Sequence, residues 1–290
     1  MKPSVFVSKL IGNPRQNFSW LLDNIHLPKN PTNICIKANL NDYRNWETAA
    51  TCDPHVLEGL LSTLRMKFPS ASITVLENDA TGVNADNIFA YLGIDHVVTR
   101  NGCKFLNVAR GEWTMVDING LHFKKLEIPK ILTECEIFIT LPKLKSHTIT
   151  KVTCGLKNQM GLFRPKRKIV YHHIVDDLIV DCNMAMKPMV SLIDANLVME
   201  GNFGPTYGSP RRLGLLMASR DIVAADSLCA KLFGLRPKSI GHIKKASDVG
   251  LGNTKYDIVS DFDFHINDFR LKFTPLLFYV IRRAAGRLRV

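Results

Sequence analysis

Eight bases and three histidines stand together in one stretch of this chain that contains no acid. Between Ile137 and Val175 there is neither Asp nor Glu, yet the segment carries Lys143, Lys145, Lys151, Lys157, Arg164, Lys166, Arg167 and Lys168, with His147, His172 and His173 among them. A window of one sign that also holds imidazoles suits an anion or a metal-bound anionic cofactor, because cations neutralise the ligand while a neutral imidazole can ligate metal or move a proton near pH 7. Lys143 and Lys145 could neutralise the charge of a substrate. Lys157 lies in the run CGLKNQMG, where neighbouring cations would lower its pKa and fit it to act as nucleophile or covalent anchor. Asn158 beside it could orient a ligand, and Gly155 and Gly161 could let backbone N–H groups approach a phosphate. His147 and Lys157 are thus the candidate catalytic pair, Lys143, Lys145, Lys157 and Asn158 the candidate cofactor-binding set, and His147 with His173 the candidate metal ligands. The plainer alternatives are a solvated lysine and histidines that hydrogen-bond their own loops.

Other residues compete for attention and are read more simply. Asp176 and Asp177 open a helix and complement its dipole. Seven cysteines (Cys35, Cys52, Cys103, Cys135, Cys154, Cys182, Cys229) are scattered without a CxxC pair, so neither a disulfide framework nor a zinc ribbon is expected, and the reading is a reducing compartment. Cys154 alone lies where nearby lysines could favour a thiolate.

Length and composition set the scale. With 290 residues, 46% of them hydrophobic, the chain can bury a full core as one large domain, residues 1–268, or as two lobes. The net charge of +12 is local: with the eight bases of the window and six more from Arg270 onward set aside, 24 bases remain against 26 acids. No apolar run reaches bilayer length and the start lacks a leader pattern, which reads as a cytoplasmic protein. Residues 269–290 pair bulky apolar side chains with arginines at helical spacing, the pattern of a basic amphipathic helix that packs on the core or lies on an anionic membrane surface.

The elements that must position the window follow from period and punctuation. Ser4 to Val7, Ile34 to Ala38 and Ile73 to Leu76 read as strands, and helical patterns open at Asp53-Pro54 and near Asn84. Asn119-Gly120 reads as a hairpin turn within 113–128. Glu136 to Leu141 reads as a buried strand that delivers the window, followed by a helix at 174–186, strands at 190–194 and 213–218, a helix capped by Asp221 and another near Ser239. This alternation predicts an α/β fold: a mostly parallel twisted sheet with helices on both faces, plus a small antiparallel hairpin. Ligands sit at the carboxyl ends of such strands, where Asn39, Asn41 and Asp42, Glu77, Asn78 and Asp79, and Asp194, Asn196 and Glu200 also fall.

On the stretches IKANLND, TCDPHVLEGLL, LPKLKSHTITKVTCGLKNQMGLF, MEGNFGP and LLMASRDIVAADSLCAKLFGL, the sequence resembles the domain-of-unknown-function 362 family over nearly its whole length. Many members carry an added iron–sulfur domain with clustered cysteines; this sequence shows no such cluster, so no iron–sulfur cluster held by its own cysteines is expected. A remoter resemblance links His147, Lys157 and His173 to the nickel-pincer lactate racemase family, in which a histidine is followed ten residues later by the lysine that carries the pincer nucleotide and sixteen further on by a nickel-ligating histidine. The resemblance implies a divalent metal or a nickel-pincer-like nucleotide as cofactor. The segment ATGVNADNIFAYLG is similar to that family's second catalytic-histidine segment, but Gly82 or a neighbour stands where the histidine would fall, so a racemising histidine pair is not implied. The expected function is proton or hydride transfer on a small anionic substrate. The rival expectation is a non-catalytic basic module for nucleic acid, an anionic polymer or a membrane surface, against which stand the absence of a nucleic-acid motif and the scarcity of aromatics in the window.

Overall fold

The computed structural model describes residues 2–40, 42–165, 167–201 and 204–273. Strands β1 (Ser4–Lys9), β2 (Asn33–Lys37), β3 (Ser72–Glu77) and β4 (Lys104–Asn107) alternate with helices α1 (Pro14–Asp23), α2 (Pro54–Lys67), α3 (Ala85–Tyr91) and α4 (Ile94–Arg100). There follow β5 (Trp113–Asp117), β6 (Lys125–Pro129), β7 (Ile137–Thr140), β8 (Lys143–His147), β9 (Lys151–Thr153) and the short helix α5 (Gly155–Asn158). The chain continues through α6 (Val175–Met186), β10 (Val190–Glu200), β11 (Ser209–Ser219), α7 (Ile222–Leu232), α8 (Gly241–Asp248) and β12 (Asp257–Ser260).

One sheet runs in the order β12-β1-β11-β10-β7-β2-β3-β4, with β8 paired to β10 and β9 to β8, while β5 and β6 form a separate antiparallel ribbon. Pairing is parallel through β10-β7-β2-β3-β4 and antiparallel on both sides of β11. The α/β architecture expected from the sequence is the one the chain forms. Alternation along the strands explains it: Ile34 and Ile36 of β2, with Ile137 and Ile139 of β7, pack with α1 and α2 on one face. Cys35 and Phe138 point the other way, to the core shared with α6 and α7. Each fully buried aliphatic side chain contributes roughly 1.5–3 kcal/mol, so a one-residue slip in β2 would exchange both faces and is strongly disfavoured.

Helix starts follow their caps. The Asp53 side chain accepts from the His55 N–H with Pro54 at the first helical position, and Asp221 accepts from the Ala224 N–H. The same signature, Asn13 followed by Pro14, opens α1, which the strand-and-helix reading of the sequence passes over. Gly93 takes the left-handed conformation (φ 66°) expected of a helix stop, but α4 begins directly after it.

Three expectations are corrected. Asn119-Gly120 does not close a two-residue hairpin, because Asp117 pairs with Lys125 and leaves a seven-residue loop between the strands. The carboxylate of Asp181 on α6 collects the N–H groups of Leu121 (2.6 Å), His122 (2.9 Å) and Phe123 (2.8 Å), and this tertiary anchor overrides the local turn preference. The strands expected at 190–194 and 213–218 are longer: β10 continues to Glu200 and β11 starts at Ser209, each strand satisfying the other's backbone. The helix expected over 269–290 does not start at Phe269, which closes a 3₁₀ turn (Ile266–Phe269), and residues 270–273 are irregular; the rest of that expectation lies outside the described residues.

Candidate functional site at the carboxyl edge of the sheet

Strands β2, β3 and β7 end at Lys37, Glu77 and Thr140 on one edge of the sheet, and β8 returns along that edge after Leu141 and Pro142. The alternation that sends Leu144 into the core turns Lys143 and Lys145 together to the other side. Burial then sorts the lysines. Lys37 and Glu77, 1% and 2% exposed, meet at 2.9 Å, and the Glu77 carboxylate also accepts from the Leu40 N–H. Lys143 and Asp194, both at 0%, meet at 2.9 Å, and Asp194 further accepts from the N–H groups of Asp53 and Asn196. Burial pushes the Asp194 carboxyl up although the Lys143 ammonium opposes this. These two lysines are neutralised inside the protein and belong to its frame; deleting one partner of such a pair costs about 3–5 kcal/mol.

Lys145 is buried without a carboxylate in contact. Its Nζ donates to Asn39 Oδ1 (2.8 Å) and to the Ala50 carbonyl (2.7 Å), both neutral. Burial, then the nearby Lys157 ammonium, push its pKa down to about 7. Asn39 is held in turn by Asn158, whose Oδ1 accepts from Asn39 Nδ2 (3.2 Å) while its Nδ2 donates to the Lys37 carbonyl and to Thr140 Oγ1, both at 2.9 Å. Asn158 thus orients the lysine shell through Asn39.

Lys157 differs from all of these. It projects from α5, a helix fixed by the Leu156 N–H donating to Asp226 (3.0 Å) and by the bonds of Asn158. The ammonium has no carboxylate or hydrogen-bond acceptor among the described residues. The residue is partly exposed but surrounded by protein on most sides, and burial pushes it down to about 8. Lys168, whose Nζ donates to the Gly161 carbonyl (2.5 Å), is likewise pushed down to about 8, by burial.

His147 ends β8 and is 7% exposed. Its Nδ1 accepts from the N–H groups of Ile149 (3.1 Å) and Thr150 (3.2 Å). Burial, followed by Lys157, Lys145 and His172, hold it well below the ordinary imidazole range, so the ring is neutral with its proton on Nε2. Of the adjacent histidines, His172 is partly buried and is lowered by burial and by Lys157. His173 is exposed, with Nδ1 3.0 Å from the Val170 carbonyl.

The structure therefore brings Lys145, His147, Lys157 and Asn158 together, keeps Lys143 beside them in an ion pair, and places His173 on the surface. As arranged, these residues do not fit a metal-organic group held by His147, Lys157 and His173. The lone pair of His147 faces two backbone donors, His173 points to solvent, and among the described residues no three His, Cys, Asp or Glu side chains converge to hold a metal ion.

Two further expectations change. The Cys154 thiol is pushed well above its ordinary range by burial and by contact with Cys229 Sγ (3.4 Å), so no thiolate forms there. Gly155 and Gly161 make room for protein rather than phosphate: a Cβ at Gly155 would stand 2.7 Å from Ser191 Oγ, and one at Gly161 2.7 Å from Lys37 Cε. Asp176 and Asp177 do open α6, where they face His242 (3.5 Å) and Lys245 (2.5 Å) of α8. Glu77 was among the residues expected at the strand ends, but its partner Lys37 was missed in sequence; the available signal was a lysine closing an otherwise apolar strand.

The profile of the family described as domain of unknown function (DUF362) matches residues 34–231. A thylakoid-associated protein of Synechocystis sp. is 32% identical over 143 residues, 47% of this chain and 44% of that protein, so the chain spans less than half the length of this relative. Among solved structures, the lactate racemase apoprotein of Thermoanaerobacterium thermosaccharolyticum superposes with a TM-score of 0.48 at 16% identity, covering 79% of this chain and 57% of that one. A Thermotoga maritima protein gives a TM-score of 0.45 at 14% identity, covering 81% and 58%. Among the described residues no helix is long and apolar enough to cross a membrane.

Proposed function

The chain belongs to the family described as domain of unknown function (DUF362), and we propose that it is an enzyme that binds a small carboxylate or phosphate at the carboxyl edge of its sheet and moves a proton on it. The observation that carries this reading is Lys157: a lone ammonium whose charge is felt by Lys145, His147, His172 and Lys168, with no acid among the described residues in contact with it. An anionic ligand supplies the missing counter-charge, and binding it raises the pKa of every surrounding base.

The roles follow from the protonation states. Lys157 contacts the anion as the charged donor. The Nε2–H of His147 offers a neutral hydrogen bond to the same ligand. When Lys145 is deprotonated, its two N–H groups serve Asn39 and Ala50 and its lone pair is left over, so it stores the proton that Lys157 exchanges with the ligand. Bases brought near pH 7 to 8 suit proton transfer at neutral pH. The polymer-binding reading is the weaker one, because Lys143 and Lys145 are 0% and 1% exposed and lie beyond the reach of a phosphate backbone.

Calorimetric titration with inorganic phosphate and with malonate tests the binding step, and deuterium exchange from solvent into carbon-bound positions of small carboxylates tests the chemistry. Saturable binding that Lys157→Gln weakens by about tenfold or more, together with exchange that this variant lacks, is expected. Equal binding by both proteins would refute the assignment.

A further inference from the structure

A cavity lies on the same edge of the sheet, on the α1 and α2 side, with a volume of about 710 Å³. That is within the range of small-molecule sites, roughly 300–1,000 Å³. Neither Lys145, His147 nor Lys157 lines it. Asp53 lies on its wall, and behind Asp53 stands the Lys143–Asp194 pair, so the two sites are neighbours separated by a buried ion pair.

Its wall carries a net positive charge, two arginines against the Asp53 carboxylate, since Glu58 is neutralised by Arg100. Arg15 and Arg212 both line the cavity, and neither has a carboxylate partner among the described residues. Arg212 is steadied from below: one guanidinium N–H reaches Asn196 Oδ1 (3.3 Å), and Asn196 Nδ2 is held by Asp53 (3.0 Å). That use of one donor leaves the rest of the fork for a ligand. The acids on the wall are occupied. Asp53 accepts from the His55 N–H (2.9 Å) and from Asn196, and Glu58 pairs with Arg100. The wall also has a planar apolar element, Trp46, packed edge-on against His55 with ring centroids 5.8 Å apart.

We propose that this cavity is a second ligand site, which takes a small organic phosphate carrying a planar ring. Arg212 and Arg15 hold the phosphate by charge-assisted hydrogen bonds, and Trp46 packs against the ring. The assignment is independent of the proton-transfer reading of the lysine site, since no residue given a role there lines this cavity.

The test is a titration of tryptophan fluorescence with phenyl phosphate, repeated in the presence of inorganic phosphate. The wild-type protein and Lys157→Gln are expected to show the same saturable change, which inorganic phosphate competes away. Trp46→Phe should remove the signal, and Arg212→Gln should weaken binding by about tenfold or more. Should Arg212→Gln fail to fold by circular dichroism, the indole N–H resonance of Trp46, assigned by its loss in Trp46→Phe, decides in the wild-type protein. A saturable shift of that resonance supports the site and its absence overturns it. A fluorescence change that saturates at the same phenyl phosphate concentration in Arg212→Gln as in the wild-type protein, or that vanishes in Lys157→Gln, also overturns it.

Discussion

Asn39 and Asn158 meet side chain to side chain at 3.2 Å, although 119 positions separate them in sequence. The contact joins the loop after β2 to α5, and it turns Asn39 Oδ1 toward the ammonium of Lys145. The charge state of one buried lysine is therefore tied to the placement of the short helix that presents another.

Asn158→Ala removes three buried hydrogen bonds at once, those to Asn39, the Lys37 carbonyl and Thr140. At roughly 1 kcal/mol each, the loss is about 2–4 kcal/mol and lowers the melting temperature by several degrees. Scanning calorimetry measures it; an unchanged melting temperature would mean that the asparagine is not built into the frame.

Lys143→Ala leaves the Asp194 carboxylate buried without its cation. The expected cost is about 3–5 kcal/mol in urea unfolding. Lys157→Gln serves as the contrast, because it removes an ammonium with no partner and should leave stability unchanged or higher. Equal losses in the two variants would contradict the division between frame lysines and the ligand lysine.

Lys145 titrates near 7 in the folded chain and at its ordinary value of 10.5 when unfolded. Between those values the unfolded chain binds more protons, so stability rises with pH across the window and is lost as pH falls through about 7. Replacing Lys145 by Met should flatten the rise by up to about 1.4 kcal/mol per pH unit. Urea titrations of both proteins at pH values spanning neutrality to mild alkalinity check the slope. Parallel curves would place Lys145 at an ordinary pKa.

Gly161→Ala would bring a methyl group to 2.7 Å from Lys37 Cε and 2.9 Å from its Nζ. The ion pair with Glu77 must then shift, at a cost of about 1–3 kcal/mol in unfolding experiments. A neutral effect would show that Lys37 has room to move.

Much of this was legible in the sequence because local physics decides it. The alternation in Ile34, Cys35 and Ile36, and the caps at Asp53 and Asp221, rest on neighbouring residues, and the structure follows them. The acid-free window pointed correctly to a concentration of positive charge at the ends of the strands. What stayed hidden depended on distant partners. Nothing near Lys143 announces Asp194, nothing near Gly120 announces Asp181, and the spacing of His147, Lys157 and His173 says nothing of the two N–H groups that occupy the first imidazole. Asn33 to Lys37 closes with a charge that local patterning treats as a strand end, whereas Glu77 on the next strand makes it part of the interior.

The most direct test is the titration of the lysine side chains by carbon-13 NMR, with resonances assigned through Lys145→Met and Lys157→Gln, in the presence and absence of inorganic phosphate. Lys145 is expected to titrate near 7 and Lys157 near 8 without phosphate, and both should move upward when phosphate binds. Titration of both at the ordinary 10.5, or midpoints that phosphate leaves in place, would contradict an anion site built around Lys157.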